Sequence, residues 1–346
     1  MLELRRGRVV TVESGERVAK LSVALDDDDA PRSAIAYPAL TGSVEPGDEV
    51  VVNVEAQDLG LGSGGFDIVC VNLTRGLSGE GADDAHVMKL NYTPLQHAVV
   101  PVEEGLEQAP SDIKLPVAVL ALHGQLAPAV FAASGNAKIG FVQTAGGALP
   151  GQLSDVVSTL IDRGLLVDHV TVAPCFGGRD EAVTLEGALY AAAERLGWDA
   201  AFVGPGPGIL GSASALGHGG LTALHSAHSA LALGCDVVLA PRLSSGDPRA
   251  RHLGLSHHTR SVLDMLLRPV TVPIPSGISS EAESQLDERT ANHQPVKVDV
   301  DDFLEPYQAS GLPTETMGRS MDEDSQFFRA AFGAGVALVR AIGGEA

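Results

Sequence analysis

The chain has 346 residues, and because 45% of them are hydrophobic and only 19% charged, it can bury a sizeable core. Its 23 Lys and Arg residues are outnumbered by 44 Asp and Glu, so the formal charge of -21 argues against a nucleic-acid partner. With three scattered Cys residues, no apolar leader and no apolar run long enough to cross a bilayer, the sequence predicts a cytoplasmic protein without a membrane partner.

The first hundred residues predict a small all-β domain. Short alternating runs are separated by turn residues there. The runs are 9–12, 19–25, 49–54 and 66–73. We therefore predict a β-barrel or sandwich-like domain over residues 1–100, followed by a linker over 101–114 that holds two prolines and several acids.

The remainder, 115–346, predicts an α/β domain. Apolar runs alternate with Ala-rich amphipathic segments, as in a doubly wound, mostly parallel sheet covered by helices on both faces. The predicted strands are 117–122, 139–142, 170–172, 200–203 and 237–240, and the predicted helices are 125–133, 153–163, 181–196 and 221–233. A Rossmann-like domain closed by one or two C-terminal helices over 322–342 is expected, with Gly333 and Gly335 as points of weakness.

Ligands of such sheets bind at the carboxyl ends of the strands, so the residues that follow each strand are the candidate site. Glycines there let main-chain amides approach a ligand, although a Gly-rich chain also uses glycine in ordinary turns. The candidates for ligand binding are Thr144, Gly146, Gly177, Gly178, Gly206, Gly208 and Gly211. His123, which follows the first strand, is a candidate for proton transfer.

The run from Gly206 to Gly211 matches the spacing GxGxxG, but it follows a late strand, contains a proline and lacks an acidic residue about 20 positions later. We interpret it as an anion loop and predict no nicotinamide cofactor; the cofactor, if any, is left open. No GxSxG, Walker A or HExxH motif occurs.

A basic group between residues 242 and 260 predicts an anion pocket in this acidic chain. Its members are Arg242, Arg249, Arg251, His252, His257, His258 and Arg260, with Ser256 or Thr259 as the cap of a helix that begins there. The candidates for ligand binding in this segment are Arg242, Ser256, His257, His258 and Arg260. The alternative is that the arginines pair with surface carboxylates.

Three more histidines, His218, His225 and His228, lie in one stretch, and the last two share a helical face. Because no carboxylate or thiolate ligand stands nearby, we predict no metal site and leave metal binding by these histidines open.

The segment 86–97 is dense in polar groups. If it were one strand, Lys89, Asn91 and Thr93 would face the same way and could present an ammonium, an amide and a hydroxyl to a ligand. Lys89 is then a second candidate for proton transfer. The same residues also fit an edge strand whose lysine discourages pairing with another chain.

Several motifs resemble a bacterial family known only as domain of unknown function 3866. They are 86–96, 144–155, 176–178 with 181–183, 206–209 and 254–259. The resemblance covers nearly the whole chain and implies no activity. In the family a His-Ala-Phe-Gly-Gly-Asp run is usual where this chain has residues 174–179, and the change removes the best acid–base candidates at that strand end.

Three functions stay open. The leading hypothesis is an enzyme acting on a small anionic metabolite, held by the glycine loops and the basic group. The alternative is a non-catalytic ligand sensor or scaffold whose N-terminal β domain docks a partner. The third is a dinucleotide-dependent oxidoreductase, which rests on the glycine spacing alone. Ala-rich helices and a Gly-rich C-terminal region also fit a homo-oligomer.

Overall fold

The computed structural model of the chain describes residues 1–13, 15, 17–28, 30–61, 64–79, 84–108, 112–212 and 214–344. The chain forms two compact units, Met1–Val99 and Val100–Ala346, which we call unit 1 and unit 2 and describe separately. No helix in these ranges is both long enough and apolar enough to cross a membrane.

Unit 1 is built on a closed five-stranded barrel, as the short alternating runs predicted. Its strands are β1 (Leu4–Glu13), β2 (Ala19–Leu25), β3 (Arg32–Ala36), β4 (Glu49–Asn53) and β5 (Asp67–Asn72), with short helices α1 (Pro38–Thr41) and α2 (Glu55–Asp58) between them. The barrel order is β1-β2-β3-β5-β4. Alternate residues of β2, such as Leu21 and Val23, point into the barrel and form its core.

A hairpin of β6 (Val87–Lys89) and β7 (His97–Val99) completes unit 1. The expectation of one continuous strand through Thr93 is wrong, because the strand ends at Lys89 and Leu90 and Tyr92 take positive φ angles of 48° and 61°. The Thr93 hydroxyl donates to the Leu90 carbonyl at 2.6 Å and stabilises the turn. Lys89 and Thr93 therefore do not share a strand face.

Unit 2 contains an eight-stranded parallel sheet. Its strands are β8 (Val117–Val119), β9 (Ile139–Thr144), β10 (His169–Val172), β11 (Asp180–Ala182), β12 (Ala200–Pro205), β13 (Val237–Leu239), β16 (Thr271–Pro275) and β17 (Gln294–Val298). Two separate two-stranded sheets pair β14 (Leu243–Ser244) with β15 (Gly254–Leu255) and β18 (Glu315–Thr316) with β19 (Arg319–Ser320). The sheet order is β11-β10-β9-β12-β8-β13-β16-β17. The parallel pairing confirms the predicted sheet.

Helices cover both faces of this sheet, so the doubly wound architecture is confirmed. The helices are α3 (Leu126–Ala132), α4 (Asp155–Asp162), α5 (Leu185–Glu194), α6 (Thr222–Ala232), α7 (His257–Met265), α8 (Ser280–Arg289), α9 (Leu304–Ala309) and α10 (Ser325–Ile342). Helices α5 to α8 contribute to one apolar cluster, which takes Val117 and Val119 from β8. Helices α3, α4, α9 and α10 contribute to the other, which takes Ala118 and Leu120.

The C-terminal helix α10 is one unbroken helix, although its glycines predicted a weak point. A Cβ atom on Gly335 would overlap the Ala129 carbonyl oxygen of α3. Glycine at this position lets the two helices pack closely, and tertiary packing offsets its low helix propensity.

The described parts of the predicted linker, 101–108 and 112–114, make defined contacts within unit 2; residues 109–111 of that prediction lie outside the described residues. The Val102 amide donates to the Glu181 carbonyl at 2.7 Å, and the Ile113 amide donates to the Leu233 carbonyl at 3.0 Å. Glu181, which the sequence placed in a helix, lies in β11.

Strand β12 lies between β9 and β8. The chain leaves β8 and β9 towards helices of one face and leaves β12 towards a helix of the other face. In open α/β sheets such a reversal marks the carboxyl edge at which ligands bind.

Candidate functional site

The glycine loops after β9 and β12 pack against each other. The Ala148 amide donates to the Pro207 carbonyl at 2.7 Å, and the Leu210 amide donates to the Gly146 carbonyl at 2.9 Å. A Cβ atom on Gly206 would overlap the Ala148 carbonyl oxygen. At Gly146 and Gly206, glycine therefore has a structural role in bringing two backbones together, whether or not a ligand binds there.

The other predicted glycines fall into two groups. Gly177 and Gly178 form a turn after β10, where the Gly177 amide donates to Glu181 at 2.6 Å and the Gly178 amide donates to the Thr171 hydroxyl at 3.1 Å. Gly208 and Gly211 lie in an exposed stretch of the loop after β12, and Gly208 takes a positive φ of 71° that favours glycine. Ligand binding by all these glycines stays a prediction.

His123 stands at the carboxyl end of β8 with both ring nitrogens partnered. Its Nδ1 lies 3.1 Å from the Pro205 carbonyl oxygen and its Nε2 lies 2.7 Å from Ser154 Oγ. Because a carbonyl oxygen only accepts, Nδ1 carries the proton and Nε2 accepts from the Ser154 hydroxyl. Burial lowers the pKa of His123 to about 4, so the ring is neutral at neutral pH.

Four histidines come together beyond the ends of β12 and β13. His218 and His258 stack with ring centroids 3.8 Å apart and planes 8° from parallel. His257 is edge-on to both, at 5.2 Å from His218 and 4.4 Å from His258, and His252 lies 4.8 Å from His257. With Arg242, Arg249 and Arg251 they form what we call the histidine–arginine cluster.

Several buried polar atoms of this cluster have no hydrogen-bond partner in the part of the chain that the structure describes. They are Nε2 of His257, Nε of Arg242 and both ring nitrogens of His218, whose backbone contact with Ala215 is too loose to count as a hydrogen bond. His218 is 8% exposed and Arg242 is 1% exposed. Buried polar groups in folded proteins are nearly always satisfied, so these atoms are suited to a ligand or an ordered water.

Arginines outnumber carboxylates beneath the histidines. The Asp247 carboxylate accepts from Arg249 at 2.8 Å, Arg242 at 3.2 Å and Arg319 at 3.4 Å, and Arg319 also donates to Asp324 at 2.9 Å. Three arginines therefore share two carboxylates, both buried. The remaining charge is positive in a chain that is strongly negative overall.

Hydrogen bonds fix two of the rings. The Arg242 guanidinium donates to His258 Nδ1 at 3.2 Å, so the neutral His258 ring carries its proton on Nε2. His252 Nδ1 lies 2.8 Å from the Ser256 hydroxyl, which also caps α7 by accepting from the His258 amide at 3.2 Å. Of the two predicted capping candidates, Ser256 is the N-cap of α7, whereas the Thr259 hydroxyl accepts from the Arg242 amide at 2.8 Å.

All four rings are neutral at neutral pH. Burial, helped by repulsion from neighbouring histidines and arginines, lowers the pKa of His252 to about 3 and that of His258 to about 2. Burial also lowers the pKa of His218 and of His257. In contrast, Arg249 and Arg242 overcome the effect of burial on Asp247 and hold its pKa well below the usual range.

The structure separates other predicted residues from the cluster. His225 is exposed on α6, and His228 Nε2 accepts from the Leu267 amide at 3.2 Å, so neither groups with His218. The Arg260 guanidinium donates to Gln285 of α8 at 3.1 Å. Thr144 ends β9 with a buried hydroxyl that has no partner among the residues described.

Lys89, Asn91 and Thr93 belong to unit 1. Lys89 is buried, whereas Asn91 and Thr93 are exposed in the hairpin turn. Proton transfer by Lys89 and ligand contact by Asn91 and Thr93 stay predictions.

Sequence reasoning missed His218 as a partner of His257 and His258, and it missed Ser154, Asp247 and Arg319. Helix-capping preference was the available signal for Ser154, which directly precedes α4. No local signal joins His218 to residues forty positions later, because the long loop after β12 brings it there.

The histidines also have the residue types of a metal site, since nitrogens of His218, His257 and His258 lie within 4.8 Å of one another. A metal ion bound to imidazole lies near the ring plane, about 2.0–2.1 Å from the nitrogen for zinc. Because the stacked rings of His218 and His258 are almost parallel, one ion cannot lie in both planes. His258 Nδ1 also accepts from a cationic guanidinium, so the arrangement suits an anion better than a cation.

Comparison with known proteins gave one finding. Residues 33–335 match the model of a family described as a protein of unknown function (DUF3866). Searches of curated proteins and of solved structures gave no match.

Proposed function

This chain belongs to the DUF3866 family, and we propose that it is an enzyme whose histidine–arginine cluster binds a small anionic metabolite. The ligand class is a phosphate, sulfate or carboxylate group on a small molecule. Proton transfer by His123, at the carboxyl edge of the same sheet, belongs to the same proposal.

The observation that carries the proposal is His218. Its imidazole is more than nine-tenths buried, yet apart from a looser backbone contact with Ala215 neither ring nitrogen has a hydrogen-bond partner among the described residues. A buried polar group left without a partner costs about 1–3 kcal/mol, and a ligand that accepts hydrogen bonds offsets that cost. His257 Nε2 and Arg242 Nε offer further donors in the same cluster.

Charge selects an anion over a cation. Arg242, Arg249 and Arg319 share the carboxylates of Asp247 and Asp324, and Arg251 donates to His252 Nε2 at 3.4 Å. A divalent cation would add charge to this positive group, whereas an anion would neutralise part of it. Hydrogen bonds from charged donors to phosphate or carboxylate are about twice as strong as neutral ones.

Anion binding is coupled to proton uptake in this proposal. A neutral imidazole carries one N–H, and an imidazolium carries two. An anion beside His218 and His257 opposes the lowering of their pKa by burial, so it favours the protonated rings. Affinity should therefore rise as the pH falls from about 8 to 6.

The test is calorimetric titration of the full chain with inorganic phosphate at about pH 6.5, with zinc chloride as a second probe. We expect His218→Leu and His257→Leu each to weaken phosphate binding tenfold or more, about 1.4 kcal/mol, because each removes a donor. His225→Leu, on exposed α6, is the control and should leave the affinity unchanged. Equal affinity in wild type and both variants, or tight zinc binding without phosphate binding, contradicts the proposal.

The geometry does not favour a dinucleotide enzyme. In the dinucleotide motif the glycine loop opens directly into a helix whose N-terminus holds the pyrophosphate. Here the loop from Gly206 to Gly211 instead continues to a β-bridge between Gly211 and His218, and α6 begins only at Thr222.

A further inference from the structure

Ser154 and His123 form a hydrogen-bonded chain that anion binding does not use. The chain runs from the Pro205 carbonyl through the His123 ring to the Ser154 hydroxyl, with distances of 3.1 Å and 2.7 Å. The carbonyl fixes the ring tautomer, so the lone pair of Nε2 points at the serine proton. This is the geometry that a general base needs to activate a serine.

The position of Ser154 adds donors for a developing negative charge. Ser154 is the N-cap of α4, and its Oγ accepts from the Val157 amide at 3.1 Å. The amides of Asp155 and Val156 belong to the first turn, where a helix supplies no acceptor of its own. In known hydrolases the amide that follows the nucleophile stabilises the oxyanion, and the helix dipole adds to that effect.

We propose that Ser154 is a nucleophile and His123 its general base in acyl transfer from a small ester or thioester. His123 Nε2 takes the Ser154 proton while Oγ forms a bond to the acyl carbon. The bond from that carbon to the leaving oxygen or sulfur breaks, and His123 returns the proton to the leaving group. Water then attacks the acyl-serine, gives a proton to His123, and Ser154 recovers it as the acid leaves.

The burial of Ser154 restricts the substrate. The residue is 3% exposed, so a small acyl group fits better than a long chain or a peptide. The first-turn amides of α4 suit a carbonyl oxygen that becomes negative. The inference depends on Ser154 and His123 alone and does not require the histidine–arginine cluster.

The test uses two uncharged probes on the full chain: a small fluorophosphonate, read by intact mass and peptide mapping, and p-nitrophenyl acetate, read by release of nitrophenol. We expect one label per chain, on Ser154. Ser154→Asn keeps an oxygen to cap α4 but lacks the nucleophile, and His123→Gln lacks the base. Each should lower the labelling rate by roughly a hundredfold or more.

The control is Ser279→Ala, which removes another helix-capping serine that has no histidine partner and should label like the wild type. Because His123 stays neutral to low pH, the labelling rate should stay level down to about pH 5 and fall as the pH approaches 4. Absence of labelling in the folded wild type, or equal labelling of Ser154→Asn, overturns the proposal. Uncharged probes keep this result separate from phosphate binding.

Discussion

His123 and His218 both follow strands of one parallel sheet, but their surroundings differ. His123 has a partner at each ring nitrogen, and these partners fix its tautomer. His218 is 8% exposed, and apart from a looser backbone contact with Ala215 it has no partner at either nitrogen among the described residues. A fully partnered histidine can pass a proton along a fixed line, whereas an unpartnered one is free to bind a ligand. We therefore propose proton transfer for His123 and anion recognition for His218.

Removing the Asp247 carboxylate, which lies beneath the histidines, should have the largest effect on stability. Asp247→Asn leaves Arg242, Arg249 and Arg319 without their shared buried carboxylate. We expect the free energy of unfolding to fall by about 3–5 kcal/mol, because a broken buried ion pair leaves uncompensated charge. Urea denaturation measures it, with Asp155→Asn, an exposed carboxylate, as the control. A loss below about 1 kcal/mol would mean that the arginines are not held by this carboxylate.

Acid should destabilise the protein mainly through the cluster. The pKa of His252 is about 3 and that of His258 about 2 in the folded chain, below about 6.5 in the unfolded chain. At pH values between the folded and unfolded pKa values, the unfolded chain therefore binds more protons than the folded chain. The stability that these two rings contribute is fully present above about pH 6.5 and is lost as the pH falls below it. The slope is roughly 1.4 kcal/mol per pH unit for each histidine.

Urea denaturation at about pH 7, 6 and 5 checks this prediction. The double variant His252→Gln with His258→Gln should show a shallower loss between pH 6 and 5 than the wild type. His225→Gln, at an exposed histidine, should leave the slope unchanged. Equal slopes in wild type and double variant would show that the two rings are already protonated or exposed.

Matched substitutions at the two histidines sharpen the comparison. His123→Leu should lower the free energy of unfolding by roughly 1–3 kcal/mol for each group left unpaired, because the Ser154 hydroxyl and the Pro205 carbonyl lose their partner. His218→Leu should leave it unchanged or raise it by up to roughly 1–3 kcal/mol, since it removes buried nitrogens that lack a well-formed hydrogen bond. Thermal or urea denaturation measures both, and a larger loss at His218 would contradict the comparison.

Much of the fold could be predicted because apolar runs determine it. Residues 139–142 and 200–203 are covered on both faces and are therefore continuously apolar, and they form β9 and β12. The sequence did not predict β16 and β17, because Pro273, Pro275 and Pro295 are residues that normally argue against a strand.

The candidate site could be predicted only where it is local. Arg242, Arg249, His252, His257 and His258 stand within one short segment, so the group of basic residue types is visible in the sequence. His218 joins them only through the tertiary fold, and its sequence neighbours suggested another group on α6. Ser154 does not stand in a known nucleophile motif. Its partner His123 follows β8, 31 residues earlier in the chain, so no local pattern links the two residues.

The central claim is that His218 is neutral in the free protein and becomes protonated when an anion binds. Histidine ring NMR of the full chain, titrated from about pH 8 to 5 with and without inorganic phosphate, tests it, with His218→Leu used to assign the signal. We predict a pKa of His218 below the usual value of about 6.5 without phosphate and a clear rise with it. A pKa that phosphate leaves unchanged would contradict the account.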